Sequence, residues 1–320
     1  MRPLEDIQIV TLTIAICSTV ANGLALFIIT SKKWKVVTIY SMAKISLVSA
    51  DLVFALSSLL QCISEMHVLP RSIDGISIGI WLDIVQNSTT LISFANITLI
   101  ATQRYRGIKC PFKYLKITKR QQLIYIFLVW ICGFSLGCIG LAAYHPSLPL
   151  IYMDFTQDIA VIVTSLPLFS LTLISTAAML HTYFKHTRSN ILNSGNSVTT
   201  NRKKHGGVVK MTSLIVLCYV IFCGPWLFMS PYQLIKDVGE MAFLEAENDL
   251  DNEAVVNSTS AAVLGGVDLD TGWNDDISES IFSIVKQMFN LNGIVDVVVY
   301  GIFDKEFRSS LKALFTCKNC

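Results

Sequence analysis

Residues 101–114 read Ala101-Thr102-Gln103-Arg104-Tyr105-Arg106-Gly107-Ile108-Lys109-Cys110-Pro111-Phe112-Lys113-Tyr114. An apolar segment runs out into an arginine and then into a basic, proline-bearing stretch. Upstream, the 20 residues between Asp83 and Arg104 include no Lys, Arg, Asp or Glu, about the length that ~20 residues at ~1.5 Å rise need to cross a bilayer. An arginine at such an exit either snorkels toward the headgroups as a topology marker or sits inside a helix bundle as a switch. Its surroundings decide between the two.

The chain is 52% hydrophobic and 15% charged, with a mean hydropathy of +0.56, values that place it with membrane proteins. The net charge of +2 says little as a total, because the signs are separated along the chain. Of nine cysteines, Cys17, Cys132, Cys138, Cys218 and Cys223 fall in apolar runs and read as small buried residues. Only Cys62 lies near an expected outer face, so no disulfide staple is expected. The N-terminus shows no cleavable signal pattern, and the first apolar span is expected to act as its own anchor. The five histidines, His67, His145, His181, His186 and His205, are scattered without ligand spacing, and no nucleophile with a base stands out, so an enzyme is not expected. Nor is a nucleic-acid partner.

Seven apolar segments follow in order: residues 7–31, 40–64, 76–105, 121–144, 159–184, 211–235 and 278–303. The second is interrupted by Lys44 and Asp51, and the fourth carries Gly133, Gly137 and Gly140, spaced to let helices approach closely. The predicted fold is an all-α membrane protein, a seven-helix bundle over residues 1–315 with membrane lipids around it. Lys and Arg mark the sides. The connections after the first, third and fifth crossings and the tail hold 19 of the 25, whereas residues 66–72 and 144–154 hold only Arg71. By the positive-inside rule the N-terminus is outside and the C-terminus cytoplasmic. Residues 237–277 have eleven acidic residues and no Lys or Arg, an extracellular loop expected to be disordered. It reads as a solvated linker or as part of ligand recognition. Asn257 there is a glycosylation acceptor, while the sequons at Asn87 and Asn96 fall within the third crossing and should stay unmodified.

Each crossing carries a polar, aromatic or helix-breaking residue where a purely structural span would have an aliphatic one: Asn22, Asp51, Ser93 with Arg104, Trp130, Pro167, Pro225, and Asn292, Asp296 and Tyr300. A charge at bilayer depth costs at least ~2.5–3.5 kcal/mol on insertion scales, so Asp51 and Asp296 call for a functional reading. Together with Ser93, Asn292 and Asn22 they could share water, a proton or a small cation. The ordered set resembles the rhodopsin-like (class A) family of G-protein-coupled receptors, over residues 7–315. Asn22, Leu47 to Asp51, Gln103-Arg104-Tyr105, Trp130, Pro167, Pro225 and Asp296-Val297-Val298-Val299-Tyr300 stand where the family has its helix markers. The wording of the second and sixth crossings is similar to invertebrate receptors of the Moody/Tre1 kind and to melatonin-like receptors.

The resemblance implies a receptor in the plasma membrane that passes the signal of an extracellular peptide, lipid or small molecule to a heterotrimeric G protein. It places Asp51, Ser93, Asn292 and Asp296 on the family's sodium pocket, the alternative being a water-filled polar cluster. An allosteric sodium ion is the one non-protein group it implies. Such an ion acts by binding one state better than the other. Pro225 is expected to kink the sixth crossing, and the kink to swing its inner end outward, opening a groove for a partner helix lined by Gln103, Arg104, Tyr105 and Tyr300.

Departures from the family pattern are equally specific. The acid beside the arginine is Gln103, the acidic partner at the base of the sixth crossing is His205, the tryptophan of Cys-Trp-x-Pro is Cys223, the helix-seven proline is Val297, and the helix-five tyrosine is Ser175. Gly79 replaces the helix-three cysteine. The pocket candidates are Asp83, Gln86, Asn87, Cys223, Lys286 and Asn290. Gln86 where monoamine receptors have aspartate argues against a biogenic amine, and Asn290 where opsins have lysine argues against retinal. Asp83 and Lys286 meet a charged ligand, or pair or snorkel. Residues 304–315 read as a short amphipathic helix 8 with Phe307, Leu311, Leu314 and Phe315 on one face. Within the tail at 316–320, Cys317 and Cys320 are palmitoylation candidates.

A small ion-coupled transporter is the rival reading, since two intramembrane aspartates also suit ion coupling, although no internal repeat is visible. With Gln103 in place of the acid, Arg104 lacks the partner that usually holds such receptors shut, and agonist-independent signalling is expected to be raised. Gln103→Glu should then lower that basal signal in transfected cells. No basal signal, together with no effect of the substitution, would refute the expectation.

Overall fold

The structure is a computed structural model that describes residues 2–31, 38–65, 72–73, 76–114, 116–139, 151–193, 209–231, 235, 275–304, 307–309 and 311–312. Seven long helices account for nearly all of them: α1 (Arg2–Thr30), α2 (Ile39–Glu65), α3 (Ile78–Lys109), α5 (Lys119–Gly137), α6 (Ile151–Asn193), α7 (Val209–Pro231) and α8 (Asp275–Phe303). A single turn, α4 (Pro111–Tyr114), follows α3. Six of the seven are long and apolar enough to cross a membrane, and the apolar part of the last, Gln287–Phe303, is shorter. Two short strands, Ser72–Ile73 and Ile76–Ser77, pair antiparallel between α2 and α3, with Ser72 opposite Ser77 and Ile73 opposite Ile76. That hairpin takes up the residues with which the third crossing was expected to begin.

Helix ends follow local chemistry rather than the limits of apolar runs. Charged residues do not stop a helix, so α6 extends well beyond the apolar stretch 159–184 at both ends. At α3 the helix continues through Arg106 to Lys109 and breaks at Cys110, because a residue before proline is disfavoured in the α region, while Pro111 suits the first position of α4. Thr118 starts α5: its side chain accepts from the Gln121 amide at 3.2 Å while the Gln121 side chain accepts from the Thr118 amide at 3.0 Å. This reciprocal capping box places the helix start at Lys119, ahead of the apolar run from 121.

Helix α3 is the hub, packed against α2, α5 and α6, while α1 packs on α2 and α8. Its buried residues are nearly consecutive, Ser88 to Phe94 and then Asn96 to Thr98, so every side of it is covered. By contrast α5 buries only Gln122, Gly133 and Gly137, which lie close to one line along its surface. The glycines set how near it comes to α3. A Cβ on Gly133 would stand 2.4 Å from Ile92 Cγ1, and one on Gly137 would stand 1.8 Å from Ser88 Oγ. Hydroxyls inside the bundle bond to the preceding turn, as Thr98 does to Phe94 O at 2.8 Å and Thr89 to Val85 O at 2.7 Å, satisfying groups that hydrocarbon cannot.

Three cysteines expected to be buried are exposed on the bundle's outer surface: Cys17, Cys132 and Cys138. A lipid-facing side chain is as apolar as a core one, so an apolar run does not say which way its members point. Cys218 is half-buried and Cys223 buried, and all seven described cysteines are free thiols. Pro167 lies on the exposed side of α6, and the helix continues through it. Gly140, His205, Asn257, Leu314, Phe315, Cys317, Cys320 and nearly all of the acidic loop 237–277 lie outside the described residues.

The α3–α5 seam yields a direct test. Replacing Gly137 with leucine should overpack it by ~1–3 kcal/mol or more and sharply reduce the folded fraction, measured as surface expression and thermal unfolding in detergent. Alanine at position 137 should be milder, since a rotation of the Ser88 side chain relieves part of the clash.

Candidate functional site

Between α1, α2, α3 and α8 the polar residues of the crossings meet. Asp51, Ser93, Asn292, Asp296 and Asn22 are all buried, Asp296 with 1% of its surface exposed. Ser93 Oγ donates to Asp51 Oδ1 at 2.7 Å, and Asn22 Nδ2 donates to Ser18 O at 3.0 Å. Asp51 Oδ2, both carboxylate oxygens of Asp296, Asn292 Oδ1 and Asn22 Oδ1 have no hydrogen-bond partner among the described residues. A cavity of about 20 Å³ lies against Ser18, Asp51, Thr90, Ser93, Asn292 and Gly293, among others, enough for one water-sized particle. Of the unsatisfied oxygens, those of Asp51 and Asn292 belong to residues that line it, whereas Asp296 and Asn22 are not among the lining residues; oxygen acceptors are the hard donor set that suits a small cation. Gly293, which sequence reading passed over, permits the convergence: a Cβ there would sit 3.1 Å from Asn22 Nδ2 and 3.2 Å from Asp51 Cβ. Trp130 braces the site from outside, its Nε1–H donating to Ser46 Oγ on α2 at 2.9 Å.

Next to this cluster lies a layer of aromatic rings. Phe94 of α3 meets Tyr219 of α7 edge-on at 5.0 Å between centroids, Tyr219 meets Phe169 of α6 at 5.3 Å, and Phe289 of α8 contacts Phe94 at 6.0 Å. Trp226 packs on Phe289 at 5.1 Å, and Phe54 of α2 meets it at 5.7 Å. The position where the family keeps its tryptophan holds buried Cys223, yet an indole is present one residue past the proline of the same helix. The sequence contained the signal, Pro225-Trp226, but indicated no partner ring.

At the Arg104 end, Gln103 turns toward α5. Its Nε2 donates to Gln122 Oε1 at 2.7 Å, and the two side chains are 4% and 1% exposed. Arg104 is only partly buried. Tyr105 accepts from Lys109 Nζ at 2.6 Å one turn further along. Tyr300 is buried in an apolar cluster with Ile28, Met211, Ile215 and Phe307. Phe112 on α4 is 83% exposed, near exposed Arg106, Lys109, Lys116 and Arg120. Ser175, in the place of a family tyrosine, is buried with its hydroxyl 3.4 Å from that of Thr102.

Toward the opposite end, Gln61 Nε2 donates to Asp83 Oδ1 at 3.2 Å and Gln61 Oε1 accepts from Gln86 Nε2. Asp83 and Gln86 are thus joined to α2 through one glutamine that the sequence reading did not single out. Asn87 is half-buried on the same helix, and Asn290 lines both the polar cavity and an adjoining crevice against α1 and α2. The side chain of Lys286 lies outside the described residues. Among the described residues there is no group of three or more His, Cys, Asp or Glu that could hold a metal ion.

The model of the seven-transmembrane receptor (rhodopsin family) matches residues 21–260. The chain belongs to that family. It is therefore a multi-pass membrane protein. A comparison with curated proteins returns no match. The matched stretch holds Asn22, Asp51, Ser93, Arg104 and Pro225 and ends before α8, the helix that carries Asn292, Asp296 and Tyr300 and packs chiefly on α1.

The glutamine pair on the α3–α5 seam separates two costs. Gln122→Leu strands the Gln103 amide in the interior and should cost ~1–3 kcal/mol, whereas replacing both glutamines with leucine removes donor and acceptor together and should cost much less. Thermal unfolding of the purified variants reads the difference. Equal losses in the single and double variants would show that the amide bond does not matter.

Proposed function

We propose that this receptor lies in the plasma membrane with its N-terminus outside, and transmits the binding of an extracellular ligand to a heterotrimeric G protein at the Arg104 end. The observation that carries the reading is the composition of that end. Arg104 stands near the end of α3, and the turn that follows it carries an aromatic side chain, Phe112, that is 83% exposed and flanked in sequence by exposed Arg106, Lys109, Lys116 and Arg120. Basic groups around an apolar anchor suit a partner that combines acidic and apolar surface. The distribution of Lys and Arg supports the orientation.

In the same reading, Asp51, Ser93, Asn292 and Asp296 hold a sodium ion. Their unpartnered oxygens fit it, and the ion would supply the positive charge that two buried carboxylates need. An ion bound in that cluster ties α2, α3 and α8 together, so it favours the closed arrangement only as far as it binds that arrangement better. Gln86, which is engaged with Gln61, and Asn290 stand where monoamine and retinal receptors hold their ligands, which argues against both of those ligands. Peptide, lipid and other small-molecule ligands all remain compatible with the opposite end.

One assay covers these statements. Guanine-nucleotide exchange on purified G protein in nanodiscs should fall at least about tenfold in Arg104→Ala and severalfold in Phe112→Ala, each truncation removing a central contact. Sodium in place of potassium should lower basal exchange, and Asp51→Asn should erase that difference. Exchange indifferent to Arg104, with sodium-driven solute uptake dependent on Asp51, would instead establish the transporter reading.

A further inference from the structure

Lys44, a cation inside the second crossing, has no part in the site described above, and its surroundings are specific. It is ion-paired with Asp304, and the two side chains are 12% and 15% exposed. Its Nζ stands 5.5 Å from the centroid of the Tyr300 ring. Asp304 ends α8, and its Oδ1 accepts from the Phe307 amide at 3.2 Å, capping the terminal helical turn 307–309 in the manner of an N-cap carboxylate. Phe307 in turn packs on Tyr300, with 6.4 Å between ring centroids. Tyr300 is thus bracketed by a cation on α2 and a ring on the terminal helix, and one carboxylate joins the two brackets.

We propose that Lys44 and Asp304 form an ionic latch that holds Tyr300 and the base of α8 against α2 in the signalling-inactive arrangement. The inference rests on the receptor reading above. Tyr300 is almost fully buried, and its hydroxyl has no hydrogen-bond partner among the described residues. Among the described residues, the polar group at the ring is the Lys44 cation over its face. Any displacement of the ring out of this bracket breaks its contacts with Lys44 and Phe307 together. Lys44 then loses its aromatic contact, and the ion pair it makes with Asp304 is disturbed in the same movement. The cost of opening accordingly falls on this pair.

The test is a double-variant cycle on the full-length receptor in nanodiscs, with two readouts. Lys44→Met keeps the length of the side chain and removes its charge. Asp304→Asn removes the charge but retains a good capping residue, which isolates the ion pair from the cap. The first readout is hydrogen exchange of the 300–312 segment, which needs no G protein; the second is basal nucleotide exchange. Each single variant should speed both, the second by about fivefold or more, the range of an ordinary coupling between sites. The double variant should do no more than either single. Unchanged hydrogen exchange, or single effects that simply add, would overturn the latch. Faster hydrogen exchange with unaltered basal signalling would overturn its role as a restraint. Nucleotide exchange absent from the parent receptor and from every variant would strike down the receptor reading itself, and the hydrogen-exchange result tells that outcome apart from failure of the latch alone.

Discussion

Asp51 is carried into a helix bundle where water is scarce, and its hydrogen bond from Ser93 is the contact around which the interior is arranged. A carboxylate in such surroundings must be paired, protonated or given a cation. Here a second carboxylate, Asp296, lies in the same buried cluster. Four helices meet at this point because each contributes a polar atom that hydrocarbon would not accept: Asn22 from α1, Asp51 from α2, Ser93 from α3, and Asn292 with Asp296 from α8. Gly293 lets them come close enough. Any motion of α8 relative to α2 and α3 has to reorganise these groups, which is what gives a small cluster leverage over the whole bundle.

Other seams use weaker and more even interactions. Between α3 and α5 there is a neutral amide pair and a line of glycine contacts. Between α3 and α6, Thr98 and Thr172 share a hydroxyl hydrogen bond at 2.7 Å. Around α7 the interface is a set of rings centred on Phe94, Tyr219 and Phe289. Rings and hydroxyls of this kind repack at modest cost, whereas the carboxylate cluster does not.

Much of this was legible in advance. The number of crossings followed from apolar runs long enough to span a bilayer, and the cost of a charge in hydrocarbon marked Asp51 and Asp296, both of which are buried. Sequence reading failed where direction mattered. Cys17, Cys132 and Cys138 point outward, because both faces of a lipid-embedded helix are apolar and hydropathy does not distinguish them. Helix ends also moved: the Thr118–Gln121 capping box and the Cys110–Pro111 break act through single hydrogen bonds and torsions that an apolar run does not register.

The amino-acid sequence by itself determined a bundle of seven membrane-crossing helices and the buried polar residues that cannot be left in lipid. These are one-dimensional properties, set by length, hydropathy and charge. Partner choice was decided by the tertiary structure. Gln103 faces Gln122, Trp226 meets Phe289, and Lys44 reaches a carboxylate 260 residues away in the chain. The reason is that such pairings depend on the rotation and offset of packed helices, which are settled by the whole set of glycine contacts, ring contacts and caps acting together.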